Sequence, residues 1–330
     1  MQLPSPSLVI DRSALDHNIA TIGQTLPGPR LRPHVKAFKS TALARRLADA
    51  GHRTFTCATV REAEGMAAAG LGDDLLIANE IVDPEQLSRV AAIEPAVTLA
   101  VDSDETIDRA AAARVRRALI DVNVGLPRCG CNPDDAGRLA ERARRAGLEV
   151  RGVMGYEGHL MMVHDRESRI RKVERSMALL LQAAAAVGGD IVSAGGTGTY
   201  DTNTWANEIQ AGTFVLGDTQ YDTLDLPFRL ALAVECTVLA INPEGWLVVN
   251  AGLKSLGMDH GNPTWPDGEV MFCSDEHTTM RCDDLSAWSV GDRTRLHPAH
   301  LDPTIAKHER MWVVDGEEIV DELAVDLRHW

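Results

Sequence analysis

From about residue 30 to 215 the sequence alternates short β-rich runs with stretches that carry helix signals, and this alternation constrains the fold more than any other feature. The β-rich runs are 31–36 (LRPHVK), 54–58 (TFTCA), 74–78 (DLLIA), 97–101 (VTLAV), 118–124 (ALIDVNV), 150–156 (VRGVMGY), 191–195 (IVSAG) and 209–215 (IQAGTFV). Thr59-Val60-Arg61-Glu62 has the spacing of a capping box, and Asp83-Pro84 and Asn132-Pro133 each set a capping residue before a proline. Residues 166–187 carry a long helical pattern that stops at Gly188-Gly189. Strands separated by helices form parallel βα units, and eight units close into a barrel. Past about residue 225 the runs 233–240 (AVECTVLA), 246–250 (WLVVN), 269–273 (EVMFC) and 311–314 (MWVV) are split by Gly, Pro and Asp turns, the texture of an all-β domain. The predicted architecture is α/β: a (β/α)8 TIM barrel over 10–225 and a C-terminal all-β domain over 226–330, joined by residues 1–9.

A chain of 330 residues is long enough for two such domains. Its 33 basic and 48 acidic side chains leave a formal charge of −15 with no long Lys/Arg block, which argues against nucleic-acid binding. No apolar run approaches the ~20 residues that span a bilayer. The opening residues lack a basic stretch followed by an apolar one, so the expected location is the cytoplasm. The six cysteines include no C-x-x-C pair and read as reduced thiols; Cys129-Gly130-Cys131 is too tight for a usual zinc knuckle.

In a βα barrel the chemistry sits at the C-terminal ends of the strands. Lys36 closes the first predicted strand, Asn79 and Asp102 follow the third and fourth, and Arg128 comes shortly after the fifth. Tyr156, Glu157 and His159 follow the sixth. Gly195-Gly196-Thr197-Gly198-Thr199 follows the seventh, where barrels often present backbone N–H groups to a phosphate. Position alone leaves Lys36 open between an ion-paired or snorkelling lysine and a desolvated amine able to form a Schiff base.

The segment Arg32-Pro33-His34-Val35-Lys36-Ala37-Phe38-Lys39-Ser40 resembles the pyridoxal-5′-phosphate (PLP) lysine segment of fold-type III enzymes. The likeness is to the D-threonine aldolase and D-serine dehydratase family, relatives of alanine racemase. Matching pieces recur in the same order: 122–130 (VNVGLPRCG), 155–159 (GYEGH), 193–197 (SAGGT), 208–214 (EIQAGTF), 275–277 (DEH) and 297–304 (HPAHLDPT). The resemblance implies a PLP-binding barrel with the cofactor on Lys36, Arg128 near its phenolic oxygen and Tyr156 beside its ring. Gly195, Gly196 and Thr197 would hold the phosphate with Gly212 and Thr213 nearby, and Gln210 falls where racemases carry an arginine. Phe38 stands where the family commonly has histidine, and Met162 where the aldolase pattern has a second histidine. His159 or His277 is then expected as the base.

His300-Leu301-Asp302 admits a bland explanation, unrelated polar residues in a loop. On an extended chain, however, residues two apart project to one side and can share a metal. In the family the corresponding segment carries the divalent-metal ligands. Dehydratase-like members have Cys at the second position; aldolase-like members have Asp, a hard ligand suited to manganese or magnesium, with zinc also compatible. Asp302 therefore points to an aldolase that cleaves β-hydroxy-D-amino acids to glycine and an aldehyde. The alternative is a D-serine or 3-hydroxyaspartate dehydratase releasing a keto acid and ammonia. A racemase is disfavoured because none of the three tyrosines lies past residue 225. A non-catalytic PLP carrier is disfavoured because it would need neither the β-domain nor the metal pair. The resemblance also implies a homodimer acting on a small β-hydroxy amino acid.

Overall fold

The computed structural model describes residues 3–95 and 97–329, in two compact units. One unit gathers residues 22–36, 43–212 and 327–329; the other gathers 3–21, 37–42 and 213–326. The chain opens with β1 (Ser7–Asp11) and α1 (Arg12–Thr25), followed by α2 (Thr41–Asp49). Strands and helices then alternate through β2 (Thr54–Cys57), α3 (Val60–Ala68), β3 (Asp74–Ile77), α4 (Pro84–Ala92), β4 (Thr98–Val101), α5 (Asp104–Ala112) and β5 (Arg117–Asp121). The series continues with α6 (Ala136–Arg145), β6 (Glu149–Gly155), α7 (Arg166–Val187), β7 (Ile191–Ala194), β8 (Glu208–Ile209) and α8 (Thr219–Asp222).

Strands β2 to β8 pair in sequence order, all parallel, into a curled seven-stranded sheet. The predicted first strand, 31–36, is not a regular strand. Pro33 has no N–H to give to a ladder, and Val35–Ala37 turns into a 3-10 helix. Residues 31–34 still close the ring. The amides of Arg32 and His34 donate to Ile209 and Ala211, while the Thr56 amide donates to the Pro33 carbonyl. The predicted eighth strand, 209–215, shrinks to Glu208–Ile209, because Thr213–Val215 is again a 3-10 turn.

Local chemistry explains the helices. Thr59 and Glu62 form the expected capping box on α3, and Asp83 caps α4 with Pro84 at its first turn. Helix α7 spans the predicted 166–187 and ends at Gly188, whose φ of 70° favours a residue without Cβ. Inside the sheet Leu76, Ala100, Leu119 and Met154 pack as one buried cluster from four neighbouring strands. At the N-terminal strand ends a polar plug replaces apolar packing. Arg32 donates from Nε to Glu208 Oε1 at 2.8 Å and from Nη2 to Asp74 Oδ2 at 3.2 Å. Arg151 donates from Nη1 to Asp74 Oδ1 and to Thr98 Oγ1, each at 2.8 Å. Two arginines against two carboxylates balance the charge and leave the opposite strand ends for ligands.

The second unit continues with β9 (Leu232–Asn242), β10 (Trp246–Val249), β11 (Glu269–Cys273), β12 (Thr278–Arg281) and β13 (Arg293–Leu296). It ends with α9 (Leu301–Ala306), β14 (Arg310–Asp315) and β15 (Glu318–Ala324). Its eight strands run in the order β11-β12-β10-β9-β1-β14-β15, with β13 also paired to β9. The N-terminal strand β1 thus lies between β9 and β14. Among the described residues no helix is long and apolar enough to cross a membrane.

Candidate active site

The C-terminal strand ends of the barrel unit carry its unusual residues. Lys36 lies in the 3-10 turn Val35–Ala37 and is half-buried, not on a buried strand as its apolar neighbours suggested. Three residues on, Lys39 adopts a φ of 49°, a left-handed conformation uncommon for a side-chain-bearing residue.

The loop after β5 delivers Arg128. Asn123 shapes it by accepting the Gly125 amide at 2.9 Å and donating to the Leu126 carbonyl at 2.9 Å. The guanidinium carbon of Arg128 lies 5.4 Å from the centre of the Tyr156 ring. Among the described residues that guanidinium makes no hydrogen bond or ion pair, so its donors are available to an anionic ligand.

Tyr156 follows β6 and also borders the glycine-rich turn after β7. A Cβ on Gly196 would come within 3.4 Å of Tyr156 Cε2 and 2.8 Å of Met161 Sδ. A Cβ on Gly198 would sit 2.1 Å from the Met161 carbonyl oxygen, and Gly195 has a φ of 78°. Side chains are thus excluded at these three glycines, whose backbone packs against Ile209, Met161 and Tyr156. The Gly198 amide has no hydrogen-bond partner among the described residues.

Glu157 anchors the turn from beneath, a role the sequence did not reveal. It is fully buried and accepts from the Gly195 amide at 3.0 Å, Thr199 Oγ1 at 2.8 Å and Asn203 Nδ2 at 2.8 Å. Gln210 donates from Nε2 to Ser193 Oγ at 2.8 Å, which ties it to β7. Gly212 ends this unit two residues after Gln210, and Thr213 begins the other.

A second group that sequence reasoning missed lies at the end of β5 and in the loop after β3. Asp121 is buried near Glu80; burial and that neighbouring carboxylate push its pKa well above the usual range, with Arg128 opposing. The only signal available was an acid closing the apolar run ALID. Burial, with Glu80 and Asp102, pushes the Cys129 thiol up to about 11, and burial with Asp121 pushes Cys131 up to about 12. Neither thiol is a nucleophile at neutral pH.

The two candidate bases differ in setting. His159 lies exposed in the turn Gly158–Leu160, and a Cβ on Gly125 would sit 3.0 Å from its Cε1 and Nε2. His277 belongs to the other unit, exposed in the hairpin turn before β12.

His300 and Asp302 do not share an extended chain. His300 is extended, with φ −139° and ψ 119°, but it caps α9, and Asp302 falls in that helix's first turn. The helix starts here because buried Asp218 accepts the Leu301 amide at 3.2 Å and the His300 carbonyl accepts Thr304 Oγ1 at 2.7 Å. Donor atoms of His300, Asp259 and His260 lie within 4.8 Å of one another, a grouping that does not include Asp302. Asp302 makes no hydrogen bond or ion pair among the described residues, although its charge acts on both Asp218 and His260. Imidazole and carboxylate groups near one helix start are a donor type that suits a divalent cation.

The chain thus has a parallel βα barrel unit, with a lysine, an arginine and a glycine-rich turn at its strand ends, and a β-rich unit that carries His and Asp side chains. Residues 10–220 match the family model described as alanine racemase, N-terminal domain, and residues 231–314 match the D-serine dehydratase domain model. The chain belongs to the alanine racemase N-terminal domain family. It is 30% identical to the 3-hydroxy-D-aspartate aldolase of Paracoccus denitrificans, over 95% of this chain and 88% of that protein. The crystal structure of D-threonine aldolase from Filomicrobium marinum superposes with a TM-score of 0.93 at 29% identity, covering 99% of this chain and 96% of that one. D-threo-3-hydroxyaspartate dehydratase from Delftia sp. HT23 superposes with a TM-score of 0.89 at 25% identity, covering 100% and 99%.

Proposed function

We propose that this protein is a PLP- and divalent-metal-dependent aldolase cleaving β-hydroxy-D-amino acids, D-threonine among them, to glycine and an aldehyde. Bound PLP supplies an electron sink for charge at the substrate's α-carbon, and a divalent metal supplies a Lewis acid for its β-hydroxyl. Lys36 is the residue to carry the cofactor covalently. Arg128 offers it unpaired guanidinium donors, Tyr156 flanks its ring, and Gly195, Gly196 and Thr197, with Gly212 and Thr213, hold its phosphate. Gln210, a neutral residue tied to Ser193, leaves the pyridine nitrogen without a cationic neighbour from that position.

His300 and Asp302 hold the metal, manganese or magnesium by preference and zinc as a further candidate. His159 or His277 takes the hydroxyl proton. Homodimerisation, which rests on the family resemblance, and a cytoplasmic location belong to the same proposal.

The observation that carries the choice of reaction is Asp302, an unpaired oxygen donor beside His300 at the start of α9. An oxygen ligand there favours a hard cation that acidifies the β-hydroxyl, and loss of that proton releases the Cα–Cβ bond. Product analysis with D-threonine, D-phenylserine and 3-hydroxy-D-aspartate tests it. Glycine and aldehyde are expected; keto acid and ammonia as main products across all three would make the protein a dehydratase.

A further inference from the structure

We infer that Asp259 is a positioning residue of the metal centre, holding His300 so that Nε2 is the atom offered to the cation. The inference rests on the assignment of His300 as a ligand in the proposed function. Asp259 Oδ2 lies 2.6 Å from His300 Nδ1. In that contact the carboxylate oxygen is the acceptor and the imidazole N–H the donor. Nδ1 therefore carries the proton, and the lone pair is left on Nε2. A carboxylate, an imidazole and a metal in line is a common way to fix a histidine ligand and raise its basicity.

The neighbours of this pair hold it in place. The His260 ring stacks on His300 with centroids 3.9 Å apart and planes 8° from parallel. An imidazole lone pair lies in its ring plane, so a cation in the plane of His300 stands about one stacking distance out of the plane of His260. In this arrangement His260 restrains the rotation of His300 and does not co-ligate with it. The turn carrying Asp259 is fastened to α9. The Gly257 amide donates to Thr304 Oγ1 at 2.9 Å, and that hydroxyl donates to the His300 carbonyl at 2.7 Å. A Cβ on Gly257 would sit 2.4 Å from Pro303 Cγ, so the turn approaches the helix as closely as backbone allows. One hydroxyl thus ties together the backbones of both partners. Asp259 stands 41 residues before His300 in sequence and meets it through this clamp.

The test measures metal binding and needs no turnover. Manganese is titrated into metal-free, PLP-loaded protein, with free Mn2+ followed by electron paramagnetic resonance. Asp259→Ala is expected to weaken binding about 10–100-fold while leaving the PLP absorbance unchanged, the usual effect of removing a carboxylate behind a histidine ligand. Asp259→Asn keeps an oxygen acceptor at the same place and should recover most of the affinity. Nitrogen-15 spectra of histidine-labelled, metal-free protein should show His300 protonated at Nδ1 in the wild type and shifted towards the Nε2–H tautomer in Asp259→Ala. Wild-type affinity in Asp259→Ala overturns the inference, and so does an Asp259→Asn protein as weak as the alanine variant. His300→Ala binding Mn2+ as well as wild type would instead overturn the ligand assignment beneath it. A wild-type protein that takes up no metal overturns both.

Discussion

Replacing Glu157 with Gln changes one atom and puts the glycine-rich turn under test. The carboxylate accepts two bonds at Oε1, from Thr199 Oγ1 and Asn203 Nδ2, and one at Oε2, from the Gly195 amide. A glutamine amide can keep its oxygen towards Thr199 and Asn203, but its NH2 then faces the Gly195 N–H, donor against donor. The site is fully buried, so water cannot take over. One charge-assisted bond is lost, and a buried amide is left unsatisfied. At about 1.5–3 kcal/mol for such a bond, the variant should lose roughly 2–3 kcal/mol of unfolding free energy in urea. The displaced Gly195 amide also opens the turn, and PLP affinity, read by absorbance after dialysis, should fall by about tenfold for each 1.4 kcal/mol of misfit. A simple electrostatic view predicts the opposite sign, because removing a negative charge near an anion site should tighten phosphate binding. Tighter PLP binding at unchanged stability would refute the anchoring role.

Three further outcomes are expected. Borohydride reduction should attach PLP to Lys36, and Lys36→Ala should cut turnover by roughly 10³-fold or more; an adduct mapped to Lys39 would reject that assignment. Chelation should abolish activity while sparing the PLP absorbance, with manganese, magnesium or cobalt restoring it, and His300→Ala or Asp302→Ala should each weaken metal binding by at least about 100-fold; full activity in a metal-free preparation would contradict it. Burial raises the Asp74 carboxyl, but hydrogen bonds and charge from Arg151 and Arg32 outweigh burial and bring it down to about 2. Because the folded pKa lies below the unfolded one, this stability is present above about pH 4 and is lost as pH falls towards 2. The gap in unfolding free energy between wild type and Asp74→Asn, on the order of 2 kcal/mol at pH 7, should therefore close over that window; a gap that does not change with pH would contradict it.

The barrel was legible because its strands are buried on both faces and read as apolar runs such as DLLI and TLAV. Where that signal fails, so does legibility. Strand β15 (EIVDELA) is mostly exposed and alternates acids with apolar residues, and β13 (RTRL) is half charged, so neither forms an apolar run. The segment 31–34 misled in the other direction, since its composition is strand-like while Pro33 denies it regular pairing. At the site, Arg128, Tyr156 and Gly196 were readable from their place after successive strands, and the structure gathers them around one turn. Glu157 stands next to Tyr156, yet its task is set by donors 38 to 46 residues away. The partnership of Asp259 with His300 spans 41 residues between separate loops, which no periodicity reports.

The carboxylates of this acidic chain divide into two kinds by their partners. Glu157 holds the glycine-rich turn and Asp218 holds the start of α9. Asp102 accepts the Gly130 amide at 3.1 Å in the loop that carries Arg128. Each accepts from backbone donors within its own unit, which fixes a turn. Among the described residues Asp302 makes no hydrogen bond or ion pair, and the exposed Arg128 guanidinium makes none beside its contact with the Tyr156 face. The unpaired arginine lies where an anionic cofactor is expected and the unpaired aspartate where a cation is expected. On the proposed assignment Arg128 would answer to an anionic oxygen of the cofactor and Asp302 to the metal.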